Sequence, residues 1–359
     1  MAKRATPSRS RLTYKQAGVD ITANDRMVEQ IRRSLRRTYD PRVLSRHNAF
    51  AGLMRLDFTE PLLRRNYREP VLVAGADGVG SKLLLGIEYG RIRGLGIDLV
   101  AMNVNDVLTL GAEPLFFLDY VACHKLIPEQ VAEIVAGVSD GCVEAGCALL
   151  GGETAELPDL YSPGHFDLAG FCVGALDRRR IIDGPKMAVP GDVVLGLSSS
   201  GLHSNGYALA RKAIESFRRR GKLPVDLGEP LADAVLRPTR IYVRPVLEVL
   251  RSYRRKRVVR AMAHITGGGM EGNLPRVLPS NCDAQIEHGS WPIPPIFELI
   301  RRAGVAESEM YRVFNMGIGF VMVVRPAFVG GVTTILEKCG EKVHRIGVIR
   351  RGSGRLVWR

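Results

Sequence analysis

The stretch PVLVAGADGVGSKLLLGIEYG, residues 70–90, contains the change of pattern that decides the fold. Its apolar first half predicts a buried strand, the glycines that follow predict a tight turn, and the second half predicts a helix. Small residues between a strand and a helix let backbone N–H groups approach phosphate oxygens. Gly78 and Gly80 are therefore candidates for contacting a phosphate. Asp77 is a candidate metal ligand and Lys82 a candidate for neutralising phosphate charge. The alternative is a plain turn, since the residue order is not that of a P-loop.

Strand and helix patterns alternate on both sides of this stretch. One helix is predicted to begin at an N-cap residue, Asp98, and to stop at Gly111. A charged, turn-rich segment at 177–192 separates a first set of elements from a second, which includes a predicted helix over RPTRIYVRPVLEVL, residues 237–250. We therefore predict an α/β (α+β) fold with two domains, 1–176 and 185–359.

Composition excludes several classes of protein. The chain has 359 residues, of which 46% are apolar and 25% charged, as in ordinary globular proteins. It has no apolar run long enough to span a membrane, so no membrane association is expected. Its six cysteines form no C-x-x-C pair, which predicts reduced, buried thiols in a cytoplasmic protein. The net charge of +14 comes from scattered Arg doublets, which favours a solvated surface over nucleic-acid binding.

Acidic and amide side chains cluster in the middle of the sequence. Asn103 and Asp106 are three residues apart and share one face of the predicted helix. Glu153 follows a short predicted strand and two glycines, a favoured position for a ligand-binding residue. Together with Asp77, the two acids predict a site for Mg²⁺ and a nucleotide, because Mg²⁺ binds few protein oxygens and keeps phosphates and waters as ligands. The alternative is a set of solvated polar residues.

Two further loops carry candidate residues. In SSSGLHSNGYAL, residues 198–209, His203 can transfer a proton and Asn205 can orient a carbonyl or phosphate, although Ser and Asn at this place also suit a helix N-cap. In AHITGGGMEGNLPRVLP, residues 263–279, a triple glycine before a helix can contact a phosphate monoester. Thr266, Asn273 and Arg276 can add hydrogen bonds there. Asn315 precedes a glycine-rich strand, where core packing is the default interpretation.

These stretches occur in an order that resembles a known family. YKQAGVDI, REPVLVAGADGVGSKL, GIDLVAMNVNDVLTLGAEPLFFLDY, GGETAELPDLY, SSSGLHSNGY, PTRIYV, HITGGGMEGNLPRVLP and EMYRVFNMGIG span nearly the whole chain. They resemble the phosphoribosylformylglycinamidine cyclo-ligases, also called aminoimidazole ribonucleotide synthetases. The resemblance implies two α/β domains, the second an α/β sandwich. It also implies a homodimer whose N-terminal sheets join, with ATP bound nearby.

The resemblance also implies a reaction and a set of site residues. The reaction uses ATP and Mg²⁺ to close the imidazole ring of formylglycinamidine ribonucleotide in purine biosynthesis. The implied Mg²⁺ ligands are Asp77, Asp106 and Glu153. The implied ATP-binding residues are those three with Gly78, Gly80, Lys82, Asn105 and Gly152. The implied catalytic residues are His203, Asn205 and His264. The implied substrate-binding residues are Thr266, Gly267, Gly268, Gly269, Asn273 and Asn315.

One segment departs from the family pattern. In RHNAFAGLMRLD, residues 46–57, Asn48, Ala49 and Ala51 stand where glycines are usual. Alanine does not easily adopt positive φ, so this loop is expected to take another path. That departure and the basic charge leave an alternative open, namely a non-catalytic nucleotide-binding or nucleic-acid-binding relative of the same fold. A selenophosphate synthetase is disfavoured because no cysteine precedes Cys123.

Overall fold

The computed structural model describes residues 21–44, 51–55, 67–218 and 223–359. The elements of the N-terminal half are α1 (Ile21–Arg36), β1 (Pro70–Gly78), α2 (Lys82–Tyr89), α3 (Arg93–Thr109), β2 (Glu113–Cys123), α4 (Pro128–Ala145), β3 (Ala148–Glu156) and β4 (Phe166–Asp177). Those of the C-terminal half are α5 (Gly184–Met187), β5 (Val193–Ser198), α6 (Tyr207–Arg218), α7 (Leu231–Leu236), α8 (Val243–Ser252), β6 (Val259–His264), α9 (Gly269–Asn273), β7 (Cys282–Ile286), α10 (Pro295–Arg302), α11 (Glu307–Val313), β8 (Ile318–Val324), α12 (Val329–Lys338), β9 (Val343–Arg351) and β10 (Leu356–Trp358). The predicted mixed α/β class is confirmed.

The first sheet has four strands in the order β1-β4-β2-β3, with only β2 and β3 parallel. Helices α3 and α4 pack on one face of it. The other face is open: Leu72 is 58% exposed and Phe171 is 45% exposed. The prediction that β1 is a buried strand is therefore wrong for the single chain. Its residues alternate between exposed and half-buried positions, because β1 is an edge strand with helices on one side only.

The second sheet has six strands in the order β10-β7-β9-β5-β8-β6. The seven residues of β8 are all buried, as expected for a strand covered on both faces. One apolar core runs from α3 and α4 through α8 and α12 to one face of this sheet. The two halves of the chain are therefore joined by a continuous core.

Three predicted boundaries are wrong. Helix α3 begins at Arg93, five residues before Asp98, whose carboxylate is buried instead of capping a helix end. Strand β3 continues to Glu156, because residues 151–156 pair with β2. Helix α8 begins at Val243, because the preceding six residues are not helical and Thr239 and Tyr242 among them donate their backbone N–H groups to side chains of α3.

Five of the six cysteines are buried free thiols, as predicted. Cys339 is also a free thiol, but it is exposed rather than buried. In the described ranges, no helix combines the length and apolar character needed to cross a bilayer. Of the departing loop at 46–57, the structure describes only residues 51–55, so Asn48 and Ala49 lie outside the described residues. Gly52 packs closely on Leu150.

Candidate active site

Two polar side chains meet where the N-terminal and C-terminal halves face each other. His264 ends strand β6, and its Nδ1 lies 2.8 Å from Oδ1 of Asp106 on helix α3. The His264 side chain is 1% exposed, whereas that of Asp106 is 54% exposed. The Nε2 of His264 is buried without a hydrogen-bond partner among the described residues. The contact thus orients one imidazole nitrogen and leaves the other available for a ligand.

Asp77 stands beside this pair at the end of β1. Burial raises the pKa of Asp77, the hydrogen bond from the Gly78 N–H opposes that rise, and the nearby charge of Asp106 adds to it. The carbonyl oxygen of Asp77 accepts a hydrogen bond of 3.3 Å from Asn103, whose Oδ1 is buried without a partner in the described part of the chain. The Asp77 and Asp106 carboxylates therefore lie near each other, and Asn103 contacts the backbone of Asp77 from the same helix as Asp106.

Asn205 joins this group from the loop before α6. Its amide nitrogen lies 3.8 Å from the sulfur of Met102 on α3, next to Asn103. A Cβ at Gly267 would lie 3.6 Å from Oδ1 of Asn205. The first glycine of the triple-glycine turn therefore lies beside the same group of residues, which we call the interdomain site (Asp77, Asn103, Asp106, Asn205, His264 and Gly267).

Hydrogen bonds from a buried side chain hold the backbone of the glycine turn in place. Asn273 is 4% exposed, and its amide nitrogen donates to the carbonyl oxygens of Gly267 and Gly269 at 3.1 and 2.8 Å. Gly269 has φ +59°, and a Cβ there would lie 2.1 Å from the carbonyl oxygen of Tyr311, so only glycine fits. Thr266 donates to Asn273 at 3.4 Å. Asn273 and Thr266 thus shape the turn, while Gly267 and Gly268 are its exposed members.

Asn315 also acts on a loop. It is 4% exposed, its amide donates to the carbonyl oxygen of Gly201, and its Oδ1 accepts from Ser199 and the Gly317 N–H. These bonds fix the loop that carries Asn205. The structure therefore gives Asn315 a positioning contact in the core, which agrees with the default interpretation of its sequence context.

Lys82 does not lie where a phosphate could reach it. Its side chain is 0% exposed, and its ammonium contacts three protein oxygens: Asp98 Oδ2 at 2.7 Å and the carbonyl oxygens of His203 and Arg237 at 3.0 and 2.8 Å. An ammonium has three N–H donors, and these oxygens account for all of them. Lys82 therefore links the two halves of the chain, and the expectation that it neutralises a phosphate is not supported by its position.

Asn105 is likewise used inside the protein. It is fully buried, its amide nitrogen donates to the carbonyl oxygen of Arg240 at 2.8 Å, and its Oδ1 accepts from the Tyr242 N–H at 3.0 Å. The neighbouring Thr239 donates from both its N–H and its hydroxyl to Asp98 Oδ1. The non-helical segment 237–242 is therefore held against α3 by buried polar side chains.

His203 is also enclosed. It is 1% exposed, has φ +61°, and its Nε2 accepts a hydrogen bond from the Ser200 N–H. Burial, followed by the nearby positive charges of His264 and Lys82, holds the pKa of His203 well below its usual range. Its Nδ1, like Nε2 of His264, is buried without a hydrogen-bond partner among the described residues. Its position near the domain junction favours a structural role.

Glu153 and Gly152 lie away from the interdomain site. Across the first sheet, Asp77 pairs with Gly170, Gly170 with Asp119, and Asp119 with Gly152. Three strand spacings place Gly152 about 14 Å from Asp77. Glu153 follows Gly152 on the strand and points to the opposite, open face. In the described ranges, no three His, Cys, Asp or Glu side chains are grouped to hold a metal, so the three-carboxylate site is not formed within one chain.

Sequence reasoning missed the residues that hold the two halves together. Asp98 was taken as a helix cap, although an acid inside the apolar run DLVAM is a sign of a buried, paired carboxylate. Sequence reasoning also missed the side-chain contacts that Trp358 makes close to the glycine turn. Trp358 donates to Glu271 at 2.7 Å and stacks on His288 at a centroid distance of 4.6 Å. No short motif marks these contacts, because they join distant parts of the chain.

Residues 65–176 match the family described as AIR synthase related protein, N-terminal domain, and residues 189–359 match its C-terminal domain. A phosphoribosylformylglycinamidine cyclo-ligase from Chromobacterium violaceum is 49% identical and covers 96% of each chain. This chain belongs to the phosphoribosylformylglycinamidine cyclo-ligase family. The cyclo-ligase from Myxococcus xanthus is 50% identical over 95% of this chain and 97% of its own.

Solved structures of more distant proteins share the fold of this cyclo-ligase family member. Thiamine-monophosphate kinase from Stenotrophomonas maltophilia superimposes with a TM-score of 0.65 at 18% identity, covering 93% of this chain and 95% of its own. Hydrogenase maturation protein HypE in complex with ATP gives a TM-score of 0.61 at 18% identity, covering 93% and 90%. At such low identity, these likenesses show the fold alone.

Proposed function

We propose that this protein is an ATP- and Mg²⁺-dependent cyclo-ligase that converts formylglycinamidine ribonucleotide to aminoimidazole ribonucleotide, with release of ADP and phosphate, in cytoplasmic purine biosynthesis. The observation that carries the proposal is the interdomain site, where Asp106 on α3 contacts His264 beside Asp77 and the glycine turn. This site lies in a chain whose sequence is 49% and 50% identical to two proteins named phosphoribosylformylglycinamidine cyclo-ligase. Those names do not favour the non-catalytic alternative.

The donor set at this site fits a magnesium–nucleotide complex. Mg²⁺ is commonly held by one or two carboxylates together with phosphate oxygens and water. Asp77 and Asp106 supply two carboxylates close enough for one charge to raise the pKa of the other, and a cation between them would relieve that repulsion. The buried, unpartnered Oδ1 of Asn103 points to a polar ligand or water nearby. Glu153 is not needed for this set.

The turn after β1 suits the phosphate chain. Gly80 has φ +69° and open space around it, and the turn leads directly into α2. Backbone N–H groups at such a turn can contact phosphate oxygens where a side chain would obstruct them. The structure of the related-fold protein HypE in complex with ATP supports the binding of a nucleotide by a protein of this fold. On the other side of the cleft, the turn at Gly267 and Gly268 would contact the ribonucleotide phosphate.

The reaction requires positioning more than a strong nucleophile. The γ-phosphoryl group of ATP moves to the formyl oxygen of the substrate and ADP leaves. An amidine nitrogen of the same molecule then attacks the formyl carbon, the C–O bond breaks, and phosphate departs as the ring closes and a proton is lost. Holding both ligands in one cleft makes these steps effectively unimolecular. His264 Nε2, buried and unpartnered, is placed to hydrogen-bond a ligand there.

The first test is phosphate release from ATP and Mg²⁺, with and without formylglycinamidine ribonucleotide. We expect release to be stimulated strongly by the ribonucleotide, because ATP is consumed only when the formyl oxygen is in place. Absence of stimulation in folded protein would contradict the cyclo-ligase assignment.

We further propose a homodimer formed through the open face of the first sheet, with the domains divided as predicted, at 1–176 and 185–359. The face presents Leu72, Phe116, Leu118, Phe171 and Val173. A continuous apolar pattern along β1 is typical of a strand covered on both faces, and a second copy would provide the missing cover. In such a dimer, Glu153 would lie at the interface.

Replacing Leu72 and Phe171 together by arginine is expected to weaken dimerisation at least roughly hundredfold, because two charges would be buried against apolar surface. Sedimentation equilibrium at micromolar concentrations measures this. Val357→Arg, which places a charge on an exposed apolar residue of β10, is the control and should leave the dimer intact. A monomeric wild type, or a dimeric double variant, would contradict the proposal.

A further inference from the structure

A cavity of about 1330 Å³ lies at a distance from the interdomain site. It is lined by the short 3₁₀ segment after β4, residues 178–180, and by the turn after α8, residues 251–257. Val259 borders it at the start of β6, whereas His264 is at the other end of that strand. Five residues of extended chain separate the two by about 16 Å. The cavity is therefore a separate cleft, which we call the arginine cleft.

The arginine cleft brings together two basic runs that are far apart in the sequence. RRR, residues 178–180, faces RSYRRKR, residues 251–257, and the Arg257 guanidinium donates to the carbonyl oxygen of Arg179. All these basic residues are exposed. Sequence reasoning assigned such arginines to a solvated surface, because nothing in the sequence shows that the two runs meet.

Most acidic groups in or near the cleft are already engaged; the exception is Glu248, which lines the cleft, is exposed and has no ion-pair partner among the residues that the structure describes. Glu69 pairs with Arg178 and Arg179, and Asp177 accepts the N–H groups of Arg68 and Arg179. Glu113 lies 3.7 Å from Arg251. In the described part of the chain, Arg180 and Arg255 have neither an ion-pair nor a hydrogen-bond partner. Two guanidinium groups therefore remain available on the walls of a concave site, where an anion would be attracted strongly.

The cleft lining is more polar than apolar overall, but it includes an apolar part, which we call its floor. It includes Ile182, Met187, Leu250 and Val258. Tyr67 and Tyr253 also line the cleft, and basic residues with interleaved aromatics are typical of nucleic-acid binding, so RNA is the alternative that the test below includes. A concave cavity with an apolar floor and a few charged groups is typical of a small ligand. The charge and the floor together fit a molecule with anionic groups at one end and a flat apolar ring at the other.

We propose that the arginine cleft binds a nucleotide, with its phosphates on Arg180 and Arg255 and its base on the apolar floor. The proposal is independent of the reaction at the interdomain site. It assigns a second nucleotide-binding place on a surface that the cyclo-ligase reaction does not use.

Isothermal titration with ADP in the presence of EDTA tests this, because EDTA removes the metal that the interdomain site is proposed to need. We expect saturable binding to the wild type. Arg180→Ala combined with Arg255→Ala should weaken it roughly tenfold or more. Arg350→Ala combined with Arg351→Ala removes the same charge from exposed positions on β9 and should leave the affinity unchanged.

Three outcomes would overturn the proposal. These are no saturable binding of ADP, equal affinity in both double variants, or cleft-dependent binding of poly(U) RNA without saturable ADP binding. Substrate-stimulated phosphate release should remain at the wild-type rate in the Arg180 and Arg255 double variant. Failure of this proposal is therefore distinguishable from failure of the cyclo-ligase assignment.

Discussion

Lys82→Met is expected to lower the free energy of unfolding by about 3–5 kcal/mol, the usual cost of removing one partner from a buried ion pair. The Lys82 and Asp98 side chains are both 0% exposed. Methionine keeps most of the volume but leaves the Asp98 carboxylate without its counter-ion and two carbonyl oxygens without a donor. Because those carbonyls belong to His203 and Arg237, the loss also loosens the contact between the two halves of the chain. Urea unfolding followed by circular dichroism measures the effect.

A matched control exists on the surface of the same junction. Arg91 and Asp233 also pair across the two halves, but they are 51% and 42% exposed. Asp233→Ala should cost no more than about 1 kcal/mol, because exposed ion pairs contribute little. Similar losses in the two variants would show that Lys82 is not the structural link described here.

Asp106→Asn is expected to reduce substrate-stimulated phosphate release by roughly hundredfold or more, the typical loss when one preorganised electrostatic group is removed from a site. Asparagine has nearly the same shape and can still bond to His264, but it carries no charge for a metal-bound nucleotide. The loss should therefore appear mainly in kcat and in the Mg²⁺ dependence, with the free energy of unfolding little changed.

Asp233→Asn, which removes an exposed carboxylate distant from β6, is the control and should keep the wild-type rate. If Asp106→Asn retained wild-type turnover and Mg²⁺ dependence, Asp106 would not be part of the site. If it instead unfolded the protein, its contact with His264 would be structural only.

Local sequence patterns predicted the structure correctly where residues of the element itself set its ends. Helix α4 begins at Pro128 and ends before Gly146, which has φ +77°, as its sequence predicts. The pairing of Asn103 and Asp106 on one helix face was also predictable, since it depends only on helical spacing. These elements form in the same way whatever they pack against.

Local patterns failed where distant contacts decide the structure. Residues 237–250 were predicted to form one helix, yet residues 237–242 are not helical because Asp98 and Asn105 of α3 bind their backbone. Lys82 follows a glycine turn, as a phosphate-binding lysine would, but Asp98 lies close enough to pair with it in the core. Glu153 was grouped with Asp77 from its motif alone, whereas strand order places the two at different edges of the sheet.

We have proposed that the interdomain site activates the formyl oxygen of the ribonucleotide by phosphorylation. The most direct measurement uses formylglycinamidine ribonucleotide carrying ¹⁸O in its formyl group, with ATP and Mg²⁺ in unlabelled water. Mass spectrometry of the released phosphate then shows the origin of its oxygen. The account predicts one ¹⁸O atom per phosphate released, because the bond that breaks on ring closure joins that oxygen to carbon. Unlabelled phosphate would contradict it, since the phosphoryl group would then have passed to water.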